Sequence, residues 1–205
     1  MTNNQVKANN SRKTINYVVK IAILAALSAV IMLLEFPLPF APGFYKLDLS
    51  EAVILMGGFA MGPVAAAVIE LIKNLINILL NGTTTAFVGE FANFLTGCAL
   101  VVPASLIYKY HKTLKGAIVS LAVGTVSLVI IGSTFNYFVL IPAFSSMYHM
   151  PLDEIISMGS KVNPLVSDLK TLVVFAVAPF NIVKGVLCSL INLLLYKRVS
   201  KILHI

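Results

Sequence analysis

Of the 205 residues in this chain, 59% are hydrophobic and 11% are charged, less than half the roughly 25% charged residues of a soluble domain. One core could not bury this much apolar surface beneath a polar coat, which argues against a soluble enzyme, a disordered regulator or a disulfide scaffold and leaves an integral membrane protein. The net charge of +7 does not indicate nucleic-acid binding, because the basic residues adjoin apolar runs.

The chain begins with a polar, basic stretch, 1–14, which is predicted to be a disordered tail. The apolar segment 15–36 follows. It is too long for the core of a cleaved signal peptide, and further apolar segments come after it, so it is interpreted as a membrane helix. The next apolar segment, 51–61, would form a helix of about 16 Å, roughly half the thickness of the hydrocarbon core.

Four more apolar segments are each long enough to cross a bilayer: 63–80, 86–108, 116–141 and 170–196. Pro142 is predicted to stop the fifth helix, and the connection 143–169 after it is predicted to hold one short helix. The sequence therefore predicts an all-α integral membrane protein, in which residues 15–205 form one domain of six transmembrane helices with a short second helix.

The orientation of these helices follows from the basic residues. Nine of the 15 lysines and arginines lie in the tail, between the fourth and fifth helices, and at the C-terminus: Lys7, Arg12, Lys13, Lys109, Lys112, Lys115, Lys197, Arg198 and Lys201. Six helices place these three regions on one side of the membrane. Cytoplasmic loops are enriched in lysine and arginine, so both termini are predicted to be cytoplasmic.

Three polar side chains inside the predicted helices are candidates for a ligand site. Lys184 lies about 21 Å into the sixth helix, where a charge is costly without a function or a partner. Asn181 is one turn earlier on the same face, and Asn136 in the fifth helix is flanked by Phe135 and Tyr137. Amides beside flat apolar rings suit a planar, uncharged heterocycle, although each asparagine could instead hydrogen-bond a neighbouring helix.

A second group of polar residues lies on one face of the third helix: Glu70, Lys73, Asn74 and Asn77. A ligand site or a proton relay would use such a stripe. The favoured interpretation is a structural ion pair between Glu70 and Lys73, with the asparagines joining neighbouring helices by hydrogen bonds.

Small residues recur on the first helix at a spacing of four, with Ala22 paired to Ala26 and Ala25 paired to Ala29. This spacing lets a second helix approach closely in lipid, either inside the chain or in a partner protein. The four alanines are therefore candidates for a partner interface.

Familiar catalytic motifs are missing from the sequence, which has no G-x-x-x-x-G-K-[ST], H-E-x-x-H or G-x-S-x-G. Cys98 and Cys188 form no C-x-x-C pair, and the three histidines are far apart. No catalytic residue, metal site or cofactor is therefore predicted. Energy for moving a solute uphill would have to come from a partner protein or an ion gradient.

With these residues in view, the chain resembles the substrate-binding S-components of energy-coupling factor (ECF) vitamin transporters, most closely the riboflavin-specific ones. The resemblance covers everything after the tail. It rests on the six-helix layout, the alanine pairs of the first helix and three phrases: 46–51 (KLDLSE), 135–138 (FNYF) and 178–185 (APFNIVKG).

The resemblance implies that riboflavin, as a transported ligand, sits near the outer face between helices four to six, beneath a lid formed by 37–49. The implied contributors from the lid are Tyr45, Leu47 and Asp48, although Asp48 could instead be a carboxylate that stabilises a helix start. The implied hydrogen-bonding residues are Asn136, Asn181 and Lys184. The implied packing residues are Phe135, Tyr137 and Phe138.

The resemblance also implies partners. The first helix, through Ala22, Ala25, Ala26 and Ala29, would dock on a membrane scaffold (T) subunit that carries two cytoplasmic ATPase subunits. No catalysis is implied for this chain.

Three alternatives stay open at this point: an S-component for a different vitamin, an intramembrane enzyme that uses Glu70 and Lys73, and a carrier driven by an ion gradient without partners. Competition among vitamins separates the first from riboflavin binding. Loss of turnover in Glu70→Gln with ligand binding intact would indicate the intramembrane enzyme. Uptake into liposomes without a partner would indicate the carrier driven by an ion gradient.

Overall fold

The computed structural model describes the backbone of residues 3–83 and 85–203 and the side chains of residues 11–83 and 85–195. Within these residues the elements are α1 (Asn3–Met32), β1 (Phe36–Pro37), β2 (Lys46–Leu47), α2 (Ser50–Met61), α3 (Pro63–Asn81), α4 (Val88–Tyr110), α5 (Leu114–Phe135), α6 (Ile141–Met147), α7 (Leu152–Val162), α8 (Leu169–Leu172) and α9 (Ala178–Leu203). Two π-helical segments, Asn136–Leu140 and Val173–Val177, join α5 to α6 and α8 to α9.

Five helices in the described part of the chain are long and apolar enough to cross a membrane: Ser11–Met32, Pro63–Asn81, Val88–Tyr110, Leu114–Met147 and Leu169–Leu195. With 12 residues, α2 reaches only about 18 Å, less than the hydrocarbon core. Large apolar side chains point outward from the long helices, and Leu79 is 83% exposed. These features are those of an all-α membrane protein, in which lipid covers such side chains.

The N-terminal segment differs from its predicted disorder, because α1 already begins at Asn3. Residues 3–14 contain no glycine or proline that would interrupt a helix. The boundary between tail and domain stays a prediction. The side chains of residues 1–10 and 196–205 lie outside the described residues, and these include four basic residues used to predict the orientation: Lys7, Lys197, Arg198 and Lys201.

Pro142 does not stop the fifth helix, contrary to the prediction, since one apolar helix runs through Leu114–Met147. The π-helical segment Asn136–Leu140 lies just before this proline and already replaces the regular α-helical hydrogen-bond pattern. The missing N–H of the proline is therefore tolerated there. Pro179 follows the second π-helical segment in the same way.

Glycines shape α2 from within. Gly57 and Gly58 lie inside the helix instead of ending it, and the helix ends before Gly62, whose φ of 97° favours glycine. A Cβ on Gly58 would collide with the hydroxyl group of Ser105 in α4. The glycine therefore allows the close approach of α2 to α4.

Buried apolar side chains form two clusters. The first lies between α1, α2, α3, α4, α5 and α9, and includes Ile54, Ile69 and Leu100. The second joins the loop between α1 and α2 to α6, α7, α8 and α9, and includes Tyr45 and Phe180. The antiparallel ribbon, in which Phe36 faces Leu47, closes this loop on itself. The second cluster thereby positions the loop against the wall of a cavity.

Candidate functional site: a polar cavity beneath the loop between α1 and α2

A cavity of about 840 Å³ lies between the loop that precedes α2, the start of α4, the junction of α5 with α6, and α7 and α9. This size is within the range of small-molecule sites, roughly 300 to 1,000 Å³. Apolar side chains in its wall include Met32, Ala92, Leu140, Phe144 and Phe180. Polar side chains in its wall include Tyr45, Asp48, Asn93, Thr96, Asn136, Asn181 and Lys184. A wall that combines apolar surface with hydrogen-bonding groups is typical of a site for an organic molecule.

Tyr45 ties the loop to the wall of the cavity. Its hydroxyl donates a hydrogen bond of 2.6 Å to Oδ1 of Asn136, which is 91 residues away in sequence, and Nδ2 of Asn136 donates to the carbonyl of Gly132 at 2.8 Å. Tyr45 and Asn136 are 9% and 4% exposed. Burial raises the pKa of Tyr45, so its hydroxyl stays protonated and remains a donor.

Asp48 makes a second tie between the loop and the bundle. Nζ of Lys184 donates to Oδ2 of Asp48 at 3.0 Å, while Oδ1 of Asp48 accepts from the backbone N–H of Ser50 at 3.0 Å. Burial would by itself raise the pKa of Asp48, but the nearby ammonium groups of Lys184 and Lys73 outweigh it and hold the pKa below its ordinary value. Asp48 therefore links the loop to Lys184 and accepts a hydrogen bond from the first residue of α2, while its contact with a ligand stays a prediction.

Asn181 lines the cavity and, within the described part of the chain, carries an unpaired amide nitrogen. It is 5% exposed, and among the described residues its Nδ2 has no hydrogen-bond partner. A buried amide group normally finds a partner, so this nitrogen would gain a hydrogen bond from a ligand acceptor that reached it. A Cβ on Gly132 would lie 2.7 Å from this nitrogen, and the glycine therefore leaves room for the amide.

Charged side chains continue from the cavity into the interior in the order Asp48, Lys184, Glu51, Lys73 and Glu70. Oε1 of Glu51 is 3.0 Å from Nζ of Lys184 and 3.1 Å from Nζ of Lys73. The ion pair predicted within α3 is confirmed, with Nζ of Lys73 2.6 Å from Oε1 of Glu70. The side chains of Glu51, Lys73 and Glu70 are fully buried, and each of them has an opposite charge beside it, as buried charges require.

The cavity brings together all of the hydrogen-bonding residues predicted from sequence, but none of the packing residues. The predicted ligand residues in its wall are Tyr45, Asp48, Asn136, Asn181 and Lys184. The predicted ligand residues outside its lining are Leu47, Phe135, Tyr137 and Phe138. Leu47 is fully buried in the second apolar cluster, whereas Phe138 is 70% exposed. Ligand contacts by these four side chains stay predictions.

Glu51 is the most important residue that the sequence pattern does not single out. Acidic residues are common in the first turn of a helix, where they stabilise the helix start. Glu51 fits this ordinary role, so its position in the sequence does not indicate a contact with Lys184. A signal was available, because a lysine inside a membrane helix needs a carboxylate partner and Asp48 and Glu51 lie three residues apart. Phe180, adjacent to Asn181, is a further wall residue that was not predicted.

The alanines of α1 separate into two pairs. Ala25 and Ala29 are buried, with 0% and 2% exposed, so this pair packs inside the chain. Ala22 and Ala26 are exposed on the surface of the helix. The second pair is therefore the one that a partner could reach.

The chemistry of the cavity is that of binding. Among the described residues, no group of three or more histidine, cysteine, aspartate or glutamate side chains could hold a metal ion. The polar groups that line the cavity are the amides of three asparagines, the hydroxyls of two tyrosines and two threonines, the ammonium groups of three lysines and two carboxylates, and aromatic rings lie among them. Such groups hydrogen-bond and stack on an organic molecule.

A cavity of this kind within a bundle of membrane-length helices defines a membrane-embedded protein that binds a small molecule. Residues 16–196 match the family described as "ECF transporter, substrate-specific component". The chain belongs to this family. It is 33% identical to the riboflavin transporter RibU of Staphylococcus aureus over 199 residues, which cover 95% of this chain and 98% of that protein.

Two further relatives agree with this assignment. The chain is 32% identical to the riboflavin transporter FmnP of Bacillus subtilis over 181 residues, which cover 87% of this chain and 88% of that protein. Its fold is similar to that of a solved S component of a bacterial ECF transporter, with a TM-score of 0.72 and 34% identity over 93% of this chain and 98% of that one. The resemblance expected from the sequence is confirmed. These proteins are transport components, so the chain is not an enzyme, and the catalytic interpretation of Glu70 and Lys73 has no support.

Proposed function

We propose that this chain is the riboflavin-binding subunit of an ECF-type vitamin uptake transporter. The observation that carries the proposal is the convergence of Asn136, Asn181 and Lys184 on one cavity, where Asn181 holds a free donor. The relatives from Staphylococcus aureus and Bacillus subtilis are both named riboflavin transporters, which supports the choice of vitamin.

The electrostatics of the cavity suit an uncharged ligand. Lys184 is paired with both Asp48 and Glu51, so it serves as a hydrogen-bond donor rather than as the counter-ion of a phosphate. Riboflavin has a planar ring system and a hydroxylated chain but no phosphate. The rings of Phe144 and Phe180 offer flat surfaces for the ring system, and riboflavin is the transported ligand rather than a cofactor.

A different vitamin is the competing proposal, and competition among ligands separates the two. Purified protein is loaded with radiolabelled riboflavin and then challenged with unlabelled riboflavin, thiamine or biotin at equal concentrations. We expect riboflavin alone to displace the label. Failure of labelled riboflavin to bind, together with saturable binding of labelled thiamine or biotin, would reassign the vitamin within the same family.

We expect Gly132→Ala to weaken riboflavin binding by about tenfold, since the new methyl group must displace the amide of Asn181 by the order of an ångström. The measurement is equilibrium titration of riboflavin in detergent. Val126→Ala is the matched control, because Val126 lies on the same helix as Gly132 but is 57% exposed and outside the cavity lining. Equal affinities for the two variants would show that the position of Asn181 does not matter for binding.

The membrane topology forms part of this proposal. We infer six membrane helices, with α2 as the short one, and with both termini in the cytoplasm. The basic residues of the loop between α4 and α5 support this orientation, because Lys109, Lys112 and Lys115 are exposed and have no acidic neighbour between them in sequence. The cavity then lies toward the outer face, where it can receive riboflavin from outside.

The partners are also proposed. Ala22 and Ala26 lie exposed on α1 and would let a helix of a membrane scaffold subunit approach closely. That scaffold would carry two cytoplasmic ATPase subunits, which supply the energy for transport. The buried pair, Ala25 and Ala29, would support α1 from within the chain.

We expect Ala26→Trp to block assembly with the scaffold and to leave riboflavin affinity within about twofold of the wild type, because the indole occupies only the outer face of α1. Co-purification of the tagged complex measures assembly, and titration measures binding. Val126→Trp, at an outward-facing position of α5 that is 57% exposed, is the control and should assemble normally. Normal assembly of Ala26→Trp would move the interface elsewhere.

A further inference from the structure

We propose that Glu51 is a positioning residue for riboflavin: it fixes the ammonium of Lys184 at the cavity and is itself held in place by Lys73. This inference rests on the proposed function, since it explains how that site is prepared for its ligand. Glu51 does not line the cavity, so it would act through Lys184 and not by touching the ligand.

Two lysines share one carboxylate oxygen of Glu51. A single oxygen atom, Oε1 of Glu51, lies 3.0 Å from Nζ of Lys184 and 3.1 Å from Nζ of Lys73. Glu51 is fully buried, and Lys184 is 7% exposed. Two ammonium groups on one buried oxygen fix the place of both lysines, because neither can leave without exposing a buried charge.

The two partners of Lys184 lie on different elements of the fold. Asp48 belongs to the loop that borders the cavity, whereas Glu51 belongs to α2, which packs against α1, α3, α4 and α9. A ligand that enters beneath the loop would disturb the contact to Asp48 first. Glu51 is the partner in the rigid core and can keep the ammonium in position while the loop rearranges.

Lys73 holds Glu51 in place. Lys73 donates a hydrogen bond to Oγ of Ser50 at 3.1 Å and another to Glu51 at 3.1 Å. It therefore contacts two consecutive residues at the start of α2. The backbone N–H of Ser50 in turn donates to Asp48. Lys73 thus anchors the start of α2, and with it both carboxylates that face Lys184.

The two carboxylates do not use all of the hydrogen-bond donors of Lys184. An ammonium group has three N–H donors. Contacts with Asp48 and Glu51 engage two sides of the group, and Lys184 still forms part of the cavity wall. The two carboxylates therefore leave donor capacity directed at the ligand.

The test is a double-mutant cycle on riboflavin affinity with wild type, Glu51→Gln, Lys184→Met and the double variant. If Glu51 acts through Lys184, we expect Glu51→Gln alone to raise the Kd by about tenfold and to cause no further loss, within about twofold, when Lys184 is already methionine. A residue that only supports the fold would instead multiply the two losses. Multiplied losses, or an unchanged Kd in Glu51→Gln, would overturn the inference.

Asn192→Ala is the matched control, because Asn192 is a polar residue only 2% exposed, lies in the same helix as Lys184 and is outside the cavity lining. It should lower the melting temperature and leave the Kd within about twofold, and an equal loss of affinity would overturn the inference. Glu51→Asp, which keeps the charge but withdraws it from Lys184, replaces Glu51→Gln in the cycle if the latter does not fold. Absence of riboflavin binding in the wild type would instead refute the proposed function, which distinguishes the two failures.

Discussion

Lys184→Met should weaken riboflavin binding by about 100-fold, because a hydrogen bond to a charged group is worth roughly 1.5 to 3 kcal/mol. The substitution also leaves Asp48 and Glu51, both 3.0 Å from Nζ of Lys184, without this counter-ion. Methionine keeps the length of the lysine side chain, so the loss reports the missing ammonium rather than a hole. Titration of riboflavin fluorescence in detergent measures the effect.

Lys170→Met is the matched control for this experiment. Lys170 begins the same helical segment as Lys184 but is exposed and outside the cavity lining. Its replacement should leave the Kd within about twofold of the wild type, as is usual for surface substitutions. An affinity of Lys184→Met equal to that of the control would remove Lys184 from the site.

Lys73→Met should have the largest effect on stability, with a loss of about 3 to 5 kcal/mol, the usual cost of removing one partner from a buried ion pair. Lys73 lies 2.6 Å from Glu70 and 3.1 Å from Glu51, and all three side chains are fully buried. Its removal leaves Glu70 without an ion pair and takes away one of the two ammonium groups beside Glu51, in a medium of low dielectric constant. Thermal unfolding in detergent measures the change.

Two comparisons make this prediction specific. Lys46→Met breaks the exposed ion pair with Glu35, in which the two side chains are 50% and 41% exposed, and should cost at most about 1 kcal/mol. Adding Glu70→Gln to Lys73→Met should recover part of the lost stability, because the carboxylate left without an ion pair is then removed. A double variant less stable than Lys73→Met alone would contradict the ion-pair explanation.

The layout of the helices could be predicted largely from hydropathy, because long apolar runs in a chain with so little charge have few alternatives to crossing a membrane. The short α2 was also visible, since Gly62 and Pro63 limit its length. The continuation of the fifth helix through Pro142 could not be predicted. It depends on a π-helical segment whose hydrogen-bond pattern leaves no signature in hydropathy.

The candidate site was predictable where its residues are close in sequence and not where they are distant. Asn181 and Lys184 could be predicted as site residues because they are polar, lie one turn apart and share one face of an apolar helix. The pairing of Lys184 with Asp48 spans 136 residues, and no local pattern encodes it. The role of Glu51 could not be predicted, because carboxylates at helix starts are common. Only the folded chain shows that Lys184 and Lys73 share its carboxylate.

The central claim is that this cavity binds riboflavin, and equilibrium titration of the purified chain alone tests it most directly. Riboflavin fluorescence is followed as wild-type protein is added, in parallel with Asn181→Ala. We predict saturable quenching at one riboflavin per chain for the wild type, and a Kd at least about tenfold higher for the variant, which lacks the free amide donor of the cavity. Absence of saturable binding to the wild type, or equal Kd values for the two proteins, would contradict the claim.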